Sequence, residues 1–222
     1  MPKKVIAIDG PAGAGKSTVA RIVAERLNYL YIDTGAMYRA LTYKAMIKNI
    51  PLENEASLTE LAENTEITLF SQEGQLKVLC DGTDVTQEIR DPKVSKNVSL
   101  VALVPGVRKK MVRMQQQLAQ KGGVVMDGRD ITTIVLPQAD CKIFLTASVE
   151  ERGKRRCLEL AQKGYHVSPK KVQEDIDQRD LLDTLRKVGP LMQTPDAFLI
   201  DSTGLSIETI VGKILDRCEK GE

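Results

Sequence analysis

Gly10-Pro11-Ala12-Gly13-Ala14-Gly15-Lys16-Ser17 has the spacing G-x-x-x-x-G-K-[ST] and is followed by Thr18. Such a run surrounds a phosphate. Glycine tolerates positive φ, so consecutive backbone N–H groups can turn inward on an anion, and a following helix aims its positive end at the same charge. Lys16 would then bridge the β- and γ-phosphates of a nucleoside triphosphate, and Ser17 would offer its hydroxyl to Mg²⁺. Gly10 to Thr18 are therefore the candidate triphosphate-binding residues, with Lys16 the first catalytic candidate.

A P-loop does not say where the γ-phosphoryl goes, so the remaining polar residues must decide. There is no N-K-x-D for guanine and no D-x-x-G after a strand, which removes a GTPase switch. Val124-Val125-Met126-Asp127 instead places a carboxylate at a strand end, where Asp127 can act through Mg²⁺-bound water. Ser17 and Asp127 are the metal candidates. Arg39 follows the second apolar run, Arg108 opens a helix, and Arg129 stands beside Asp127 and Asp130. Further on, Arg179, Asp183 and Arg186 precede Gly189-Pro190-Leu191, in a stretch too broken by polar residues to be a core helix. These residues are distant in the chain, and their joint placement at strand ends points to a second anionic ligand.

Alternating elements must position them. Val5 to Ile8 reads as a strand and is followed by helical spacing of Val19, Val23 and Leu27. Tyr29 to Ile32 leads into Asp33-Thr34-Gly35 and a helix from Met37 that ends before Pro51. Later apolar runs at Val124 to Met126, Lys142 to Leu145 and Phe198 to Ile200 complete the expected α/β architecture of five parallel strands flanked by helices. Ligands should gather at the strand C-termini.

The stretch from about 51 to 95 breaks this rhythm. A capping box at Ser57 and Glu60 predicts a short helix, and Ile67 to Phe70 and Leu76 to Cys80 are joined across Glu73-Gly74. Asp81-Gly82 supplies another turn, so a small antiparallel β subdomain is inserted here. Asp91-Pro92 can start a helix, and Val107, Met111, Met114 and Leu118 mark another that Gly122-Gly123 can end. A last helix, capped by Ser206, places Ile207, Ile210, Val211, Ile214, Leu215 and Cys218 on one packing face.

Composition agrees with this picture. The 222 residues are 42% hydrophobic and 28% charged, with 32 basic against 30 acidic residues and a net charge of +2. A charge so near balance demands neither nucleic acid nor an anionic membrane, and 4% aromatic residues leave few platforms for stacking bases. No apolar run approaches the roughly 18 residues of a membrane span, so a cytoplasmic protein with no membrane partner is expected. Cys80, Cys141, Cys157 and Cys218 form no C-x-x-C, and His166 is the only histidine, so buried free thiols are expected rather than zinc or a disulfide. The helices leave no unused apolar stripe, and a monomer is expected.

Several motifs together resemble one family. They are Ile8-Asp9-Gly10-Pro11-Ala12-Gly13-Ala14-Gly15-Lys16-Ser17, Asp33-Thr34-Gly35-Ala36-Met37-Tyr38-Arg39, Asp127-Gly128-Arg129-Asp130 and Arg179-Asp180, with Lys142 to Ala147 and Asp201-Ser202-Thr203 in support. The chain resembles the bacterial cytidylate kinases, small P-loop nucleoside monophosphate kinases, nearly end to end. That resemblance implies a single domain over 1–222, with a core of 1–37 and 96–222, a monophosphate-binding insertion at about 38–95 and a mobile lid at about 148–165. It implies ATP and Mg²⁺ as donor and cofactor, CMP and dCMP as acceptors, and Arg155 and Arg156 of the lid over ATP. It also implies that Thr34, Tyr38, Arg39, Ser99, Arg108 and Arg129 surround the acceptor together with Asp130, Arg179, Asp183 and Arg186. Thr132, Gly189 and Leu181-Leu182 depart from the family pattern.

The chemistry of the base supports that assignment. Cytosine donates from N4 and accepts at N3 and O2, so a carboxylate, Asp130, and a guanidinium, Arg108, can read it. Asp183 and Arg179 would hold the ribose. Arg39, Arg129 and Arg186 would neutralise the α-phosphate and the transferring group, with Arg129 and Arg186 joining Lys16 as catalytic candidates. The rivals are a kinase for UMP or AMP, which the Asp130 and Arg108 pairing disfavours, and a nucleotide-driven switch or nucleic-acid ATPase, which would hydrolyse ATP without an acceptor.

Overall fold

The computed structural model describes residues 3–72, 74–162, 164, 165 and 167–220. Strand β1 (Val5–Asp9) runs through the phosphate loop into α1 (Lys16–Leu27), and β2 (Leu30–Asp33) feeds α2 (Thr34–Ile47). Next come α3 (Glu55–Glu63), the strands β3 (Ile67–Gln72), β4 (Gln75–Cys80) and β5 (Thr83–Asp84), and the helices α4 (Pro92–Leu103) and α5 (Pro105–Ala119). The chain continues through β6 (Val124–Gly128), a π-helical turn over Ile131–Val135, β7 (Cys141–Thr146), α6 (Val149–Gln162), α7 (Pro169–Thr184), β8 (Phe198–Asp201) and α8 (Ile207–Lys220).

Five strands form one sheet in the order β2-β6-β1-β7-β8, each neighbouring pair parallel. Parallel strands covered on both faces are near-continuously apolar, and alternate side chains serve opposite cores. Ala7, Val124 and Met126 point into a core made with α2, α4, α5 and the inserted segment. Ile6, Ile8, Val125, Ile143 and Leu145 point into a second core with α1 and α8. The antiparallel sheet β3-β4-β5 is the expected insertion, and Ile67, Leu69 and Val78 bury into the first core beside Leu41 and Leu58 of α2 and α3.

Local signals set some boundaries differently from the sequence expectation. Helix α2 begins at Thr34 rather than Met37, because the Asp33 side chain accepts a hydrogen bond from the Ala36 N–H and caps it. Asn54, not Ser57, caps α3, accepting from the Ser57 N–H at 3.0 Å. Asp91 with Pro92 at the first turn starts α4 as expected. Arg179 and Asp183 lie on α7, a helix of which only Val172, Ile176 and Asp183 are buried. Ile207 turns out of the α8 packing face and is half exposed. Glu73 of the β3–β4 turn, Lys163 at the end of the lid and His166 lie outside the described residues.

Two expectations are corrected outright. Cys141 and Cys218 are disulfide-bonded, with Cα atoms 5.3 Å apart, while Cys80 and Cys157 are free. The docking of α8 against the start of β7 brings together two residues 77 positions apart, a proximity no local pattern reports. Leu181 and Leu185 are 57% and 70% exposed, and Val188 and Met192 nearby are half exposed, so an apolar strip does remain at the end of α7. Among the described residues no helix is long and apolar enough to cross a membrane.

Candidate nucleotide-binding site

The phosphate loop leaves β1 at the sheet's centre, with Gly10, Gly13 and Gly15 at φ +151°, +77° and +91°. A Cβ on Gly10 would collide with the carbonyl of Leu145 on β7, so this turn needs glycine for both space and conformation. Lys16 folds back over the loop and donates to the Pro11 carbonyl at 2.7 Å. Its ammonium is pushed down to about 7 by burial and by the Arg129 and Arg179 charges, against the pull of Asp127 and Asp9. Burial leaves this cation short of favourable solvation, which an anion in the loop would restore. Ser17 and Thr18 are exposed at the loop's mouth.

Asp127 ends β6 beside β1, facing the first turn of α1. Its Oδ2 accepts from the Ser17 hydroxyl at 3.1 Å, and its Oδ1 accepts from the Tyr31 phenol at 2.8 Å. Burial and the neighbouring Asp33 push its carboxyl up to about 6, opposed by Lys16 and these hydrogen bonds. Thr34, opening α2, donates to the Asp127 carbonyl at 2.7 Å. Among the described residues no cluster of three or more His, Cys, Asp or Glu side chains forms a closed metal cage. A hydroxyl and a carboxylate in contact at the loop's mouth instead fit a cation that takes its other ligands from water and phosphate, the habit of Mg²⁺.

A second cluster of charged side chains lies across Arg129. Arg108, 2% exposed in the first turn of α5, is ion-paired with Asp130, and its Nη1 reaches the Tyr38 hydroxyl at 3.4 Å. Burial pushes the Tyr38 phenol up to about 12, so it stays a donor. Gly189, at φ +61°, covers this pair, and a Cβ there would collide with both charged groups. Arg129 Nε donates to Asp183 Oδ2 at 2.7 Å, and Arg186 Nε donates to the Asp183 carbonyl at 3.2 Å. Burial pushes the Asp183 carboxyl upward, but Arg129, Arg179 and Arg186 outweigh it and hold it below the ordinary value. Arg179 is pushed down to about 10 by burial and then by Arg129, with Arg39 and Arg156 adding to the repulsion.

Three buried guanidinium nitrogens of this cluster, Arg108 Nε, Arg179 Nε and Arg186 Nη2, have no hydrogen-bond partner among the described residues. Unsatisfied buried donors are costly, and several in one cluster mark a place for an anion or a base acceptor. Ser99 is buried on α4, and Arg39 at the start of α2 is ion-paired with Asp33 at 3.0 Å.

Helices α6 and α7 pack against the phosphate loop. Arg152 of α6 is ion-paired with Asp180 of α7 and donates to the Ala12 carbonyl at 3.0 Å, while Asp180 accepts from the Ala12 N–H at 3.0 Å. Arg155 donates to the Ala14 carbonyl and to the Ser202 hydroxyl at 3.3 and 3.0 Å, whereas Arg156 is paired with Glu159.

Sequence reasoning assigned no role to Tyr31, Asp9, Asp180 or Ser202. Asp9 is fully buried, and accepts from the Ile131 N–H at 2.9 Å and from the Thr132 N–H and hydroxyl at 2.8 and 2.7 Å. Burial raises its carboxyl, and the three donors oppose that. Thr132 thereby ties the loop carrying Asp130 to the strand carrying the phosphate loop. A charged residue ending an otherwise apolar strand was the available signal for Asp9; no local signal marks Tyr31.

The chain is similar to known proteins. A sequence model of the family described as cytidylate kinase matches residues 6–220. Cytidylate kinase of Bacillus velezensis is 60% identical over 222 residues, covering 99% of both chains. Those of Desulforamulus reducens and Bacillus subtilis are each 54% identical, covering 99% of this chain and 98% and 99% of theirs. Among solved structures, an uncharacterized protein from Eubacterium ventriosum aligns with a TM-score of 0.54 at 13% identity, over 98% of this chain and 99% of that one. Shikimate kinase from Acinetobacter baumannii aligns with a TM-score of 0.50 at 16% identity, over 99% and 95%. At such identities the two structures share the fold alone, but the end-to-end sequence matches go further: the chain belongs to the cytidylate kinase family.

Proposed function

We propose that this protein transfers the γ-phosphoryl of ATP to CMP or dCMP, giving ADP and CDP or dCDP, as a monomer whose single chain supplies both nucleotide sites. The observation that carries this reading is Arg129, which lies close enough to Lys16 to depress its basicity and is ion-paired with Asp183 on the other side. One guanidinium thus stands between a triphosphate loop and a pocket of unsatisfied donors, the place where a phosphoryl group passes between two nucleotides.

In this reading Lys16 and the loop N–H groups hold the β- and γ-phosphates. Mg²⁺, when bound, would neutralise charge on those phosphates, with Ser17 and Asp127 holding it. An oxygen of the acceptor α-phosphate attacks the γ-phosphorus in line, and the bond to the β-phosphate oxygen breaks. The acceptor is already ionised, so no general base is required and catalysis reduces to alignment and charge neutralisation. Arg39, Arg129 and Arg186 supply that neutralisation, Arg179 and Asp183 hold the ribose, and Tyr38 and Ser99 line the acceptor. Arg108 and Asp130 read the base. Uracil would place an acceptor against the Asp130 carboxylate, at a cost of about 1–3 kcal/mol. Arg155 and Arg156 serve the donor side, and lid closure excludes water as a competing acceptor.

A coupled ADP-release assay with Mg²⁺ and ATP against CMP, dCMP, UMP, AMP, GMP and no acceptor tests the reading. Release strongest with CMP and dCMP is expected. Equal release without acceptor would make the protein an ATPase and remove the arginine pocket from the reaction.

A further inference from the structure

We infer that Tyr31 is a positioning residue for the metal-holding end of the donor site, acting through Asp127; the inference rests on the assignment of Ser17 and Asp127 to Mg²⁺. Strand β2 pairs in parallel with β6 so that Tyr31 lies opposite Val125 and Asp33 opposite Asp127. The Tyr31 ring packs against the core formed with α1, and its hydroxyl donates at 2.8 Å to Oδ1 of Asp127, two residues beyond Val125 along β6. That apolar bed fixes where the phenol oxygen stands.

The consequence for Asp127 follows from its shape. An aspartate's terminal torsion is broad and roughly two-fold, so nothing intrinsic decides which way its oxygens face. A donor fixed on Oδ1 removes that freedom and leaves Oδ2 directed at the Ser17 hydroxyl, 3.1 Å away at the opening of α1. Without it, the buried carboxylate would be free to turn toward Lys16, the nearest cation pulling on it. Tyrosine suits the task because it donates one directional hydrogen bond without adding charge, whereas Asp33 beside it repels Asp127. Partners that orient a metal-binding group through its other atom typically change metal affinity by about 10- to 100-fold when removed.

Tyr31→Phe keeps the ring in its bed and deletes only the hydroxyl. Mn²⁺ serves as the probe, titrated by electron paramagnetic resonance onto the full-length protein loaded with a non-hydrolysable ATP analogue. The variant should bind Mn²⁺ about 10-fold more weakly than the wild type. Its affinity for the analogue in the presence of a chelator, its affinity for CMP and its thermal midpoint should be unchanged. Equal Mn²⁺ affinity in the two proteins would overturn the inference. So would a loss of analogue affinity that is the same with and without metal, because that is general damage rather than metal positioning. If wild-type protein holds Mn²⁺ no more tightly than the free analogue does, the assignment of Ser17 and Asp127 fails, and the inference with it.

Discussion

Arg108 and Asp130 are paired with each other while Arg108 Nε stays unsatisfied, so the groups proposed to read the base are held in place by mutual attraction. Asp130→Ala should therefore do two things in steady-state kinetics. It should raise the KM for CMP, and it should reduce the CMP-over-UMP ratio of kcat/KM by about 5- to 150-fold, the value of roughly 1–3 kcal/mol of lost discrimination. An unchanged ratio would remove Asp130 from base reading. Asp183 makes a pH prediction of definite sign. Its carboxyl is held below the ordinary value of about 3.9, so its stabilising effect is complete above that pH and disappears as the pH falls through the depressed value. Asp183→Asn should lower unfolding stability by about 3 kcal/mol at neutral pH, and the gap to wild type should close below about pH 4 in denaturant titrations. A gap that widened in acid would mean that Asp183 is not a charged partner of Arg129.

Helices α6 and α7 touch each other through a small cluster of Leu160, Val172 and Ile176, separate from the two main cores. Their other tethers are polar: Arg152 and Asp180 together grip both the N–H and the carbonyl of Ala12, Arg155 holds Ala14 and Ser202, and Asp183 holds Arg129. An element with so small a core of its own is the part of the molecule expected to open locally. Ile176→Ala should remove about 2–5 kcal/mol from that cluster. Amide exchange should accelerate in α6 and α7 while β1, β6 and β7 keep their protection, and, if the proposed lid excludes water, ATP hydrolysis without acceptor should rise. Uniform loss of protection across the sheet would show that the lid does not open as a unit.

At the scale of the whole molecule, chemistry and stapling lie at opposite ends of the sheet. The proposed nucleotide sites lie at the C-terminal ends of β1, β2 and β6, whereas the Cys141–Cys218 bond joins the first residue of β7 to the end of α8. A bond closing a separation of 77 residues stabilises by about 2–4 kcal/mol, chiefly by restricting the unfolded chain. Reduction, or Cys141→Ser, should lower the thermal midpoint by roughly 4–16 °C for a chain of this size, with KM for ATP and CMP unchanged. A midpoint unmoved by reduction would show that the bond adds nothing to this fold.

What could be read without coordinates was whatever is written locally. The phosphate loop is contiguous from Gly10 to Ser17, the five strands are short apolar runs closed by polar residues, and Asp127 was legible because a carboxylate ending such a run is a recognisable ligand position. The family motifs extended this to Arg39, Arg108 and Asp130. Strand order was not legible, and it decides the contacts that no pattern announced. Tyr31 meets Asp127 across 96 positions, Asp9 meets Ile131 across 122, and Asp180 meets Ala12 across 168. Cys141 and Cys218 meet for the same reason. Hydrophobic periodicity tells each element which face to bury but carries no address for the partner it will bury against, so the sequence determined the catalytic vocabulary and the tertiary structure alone decided which residues hold it in place.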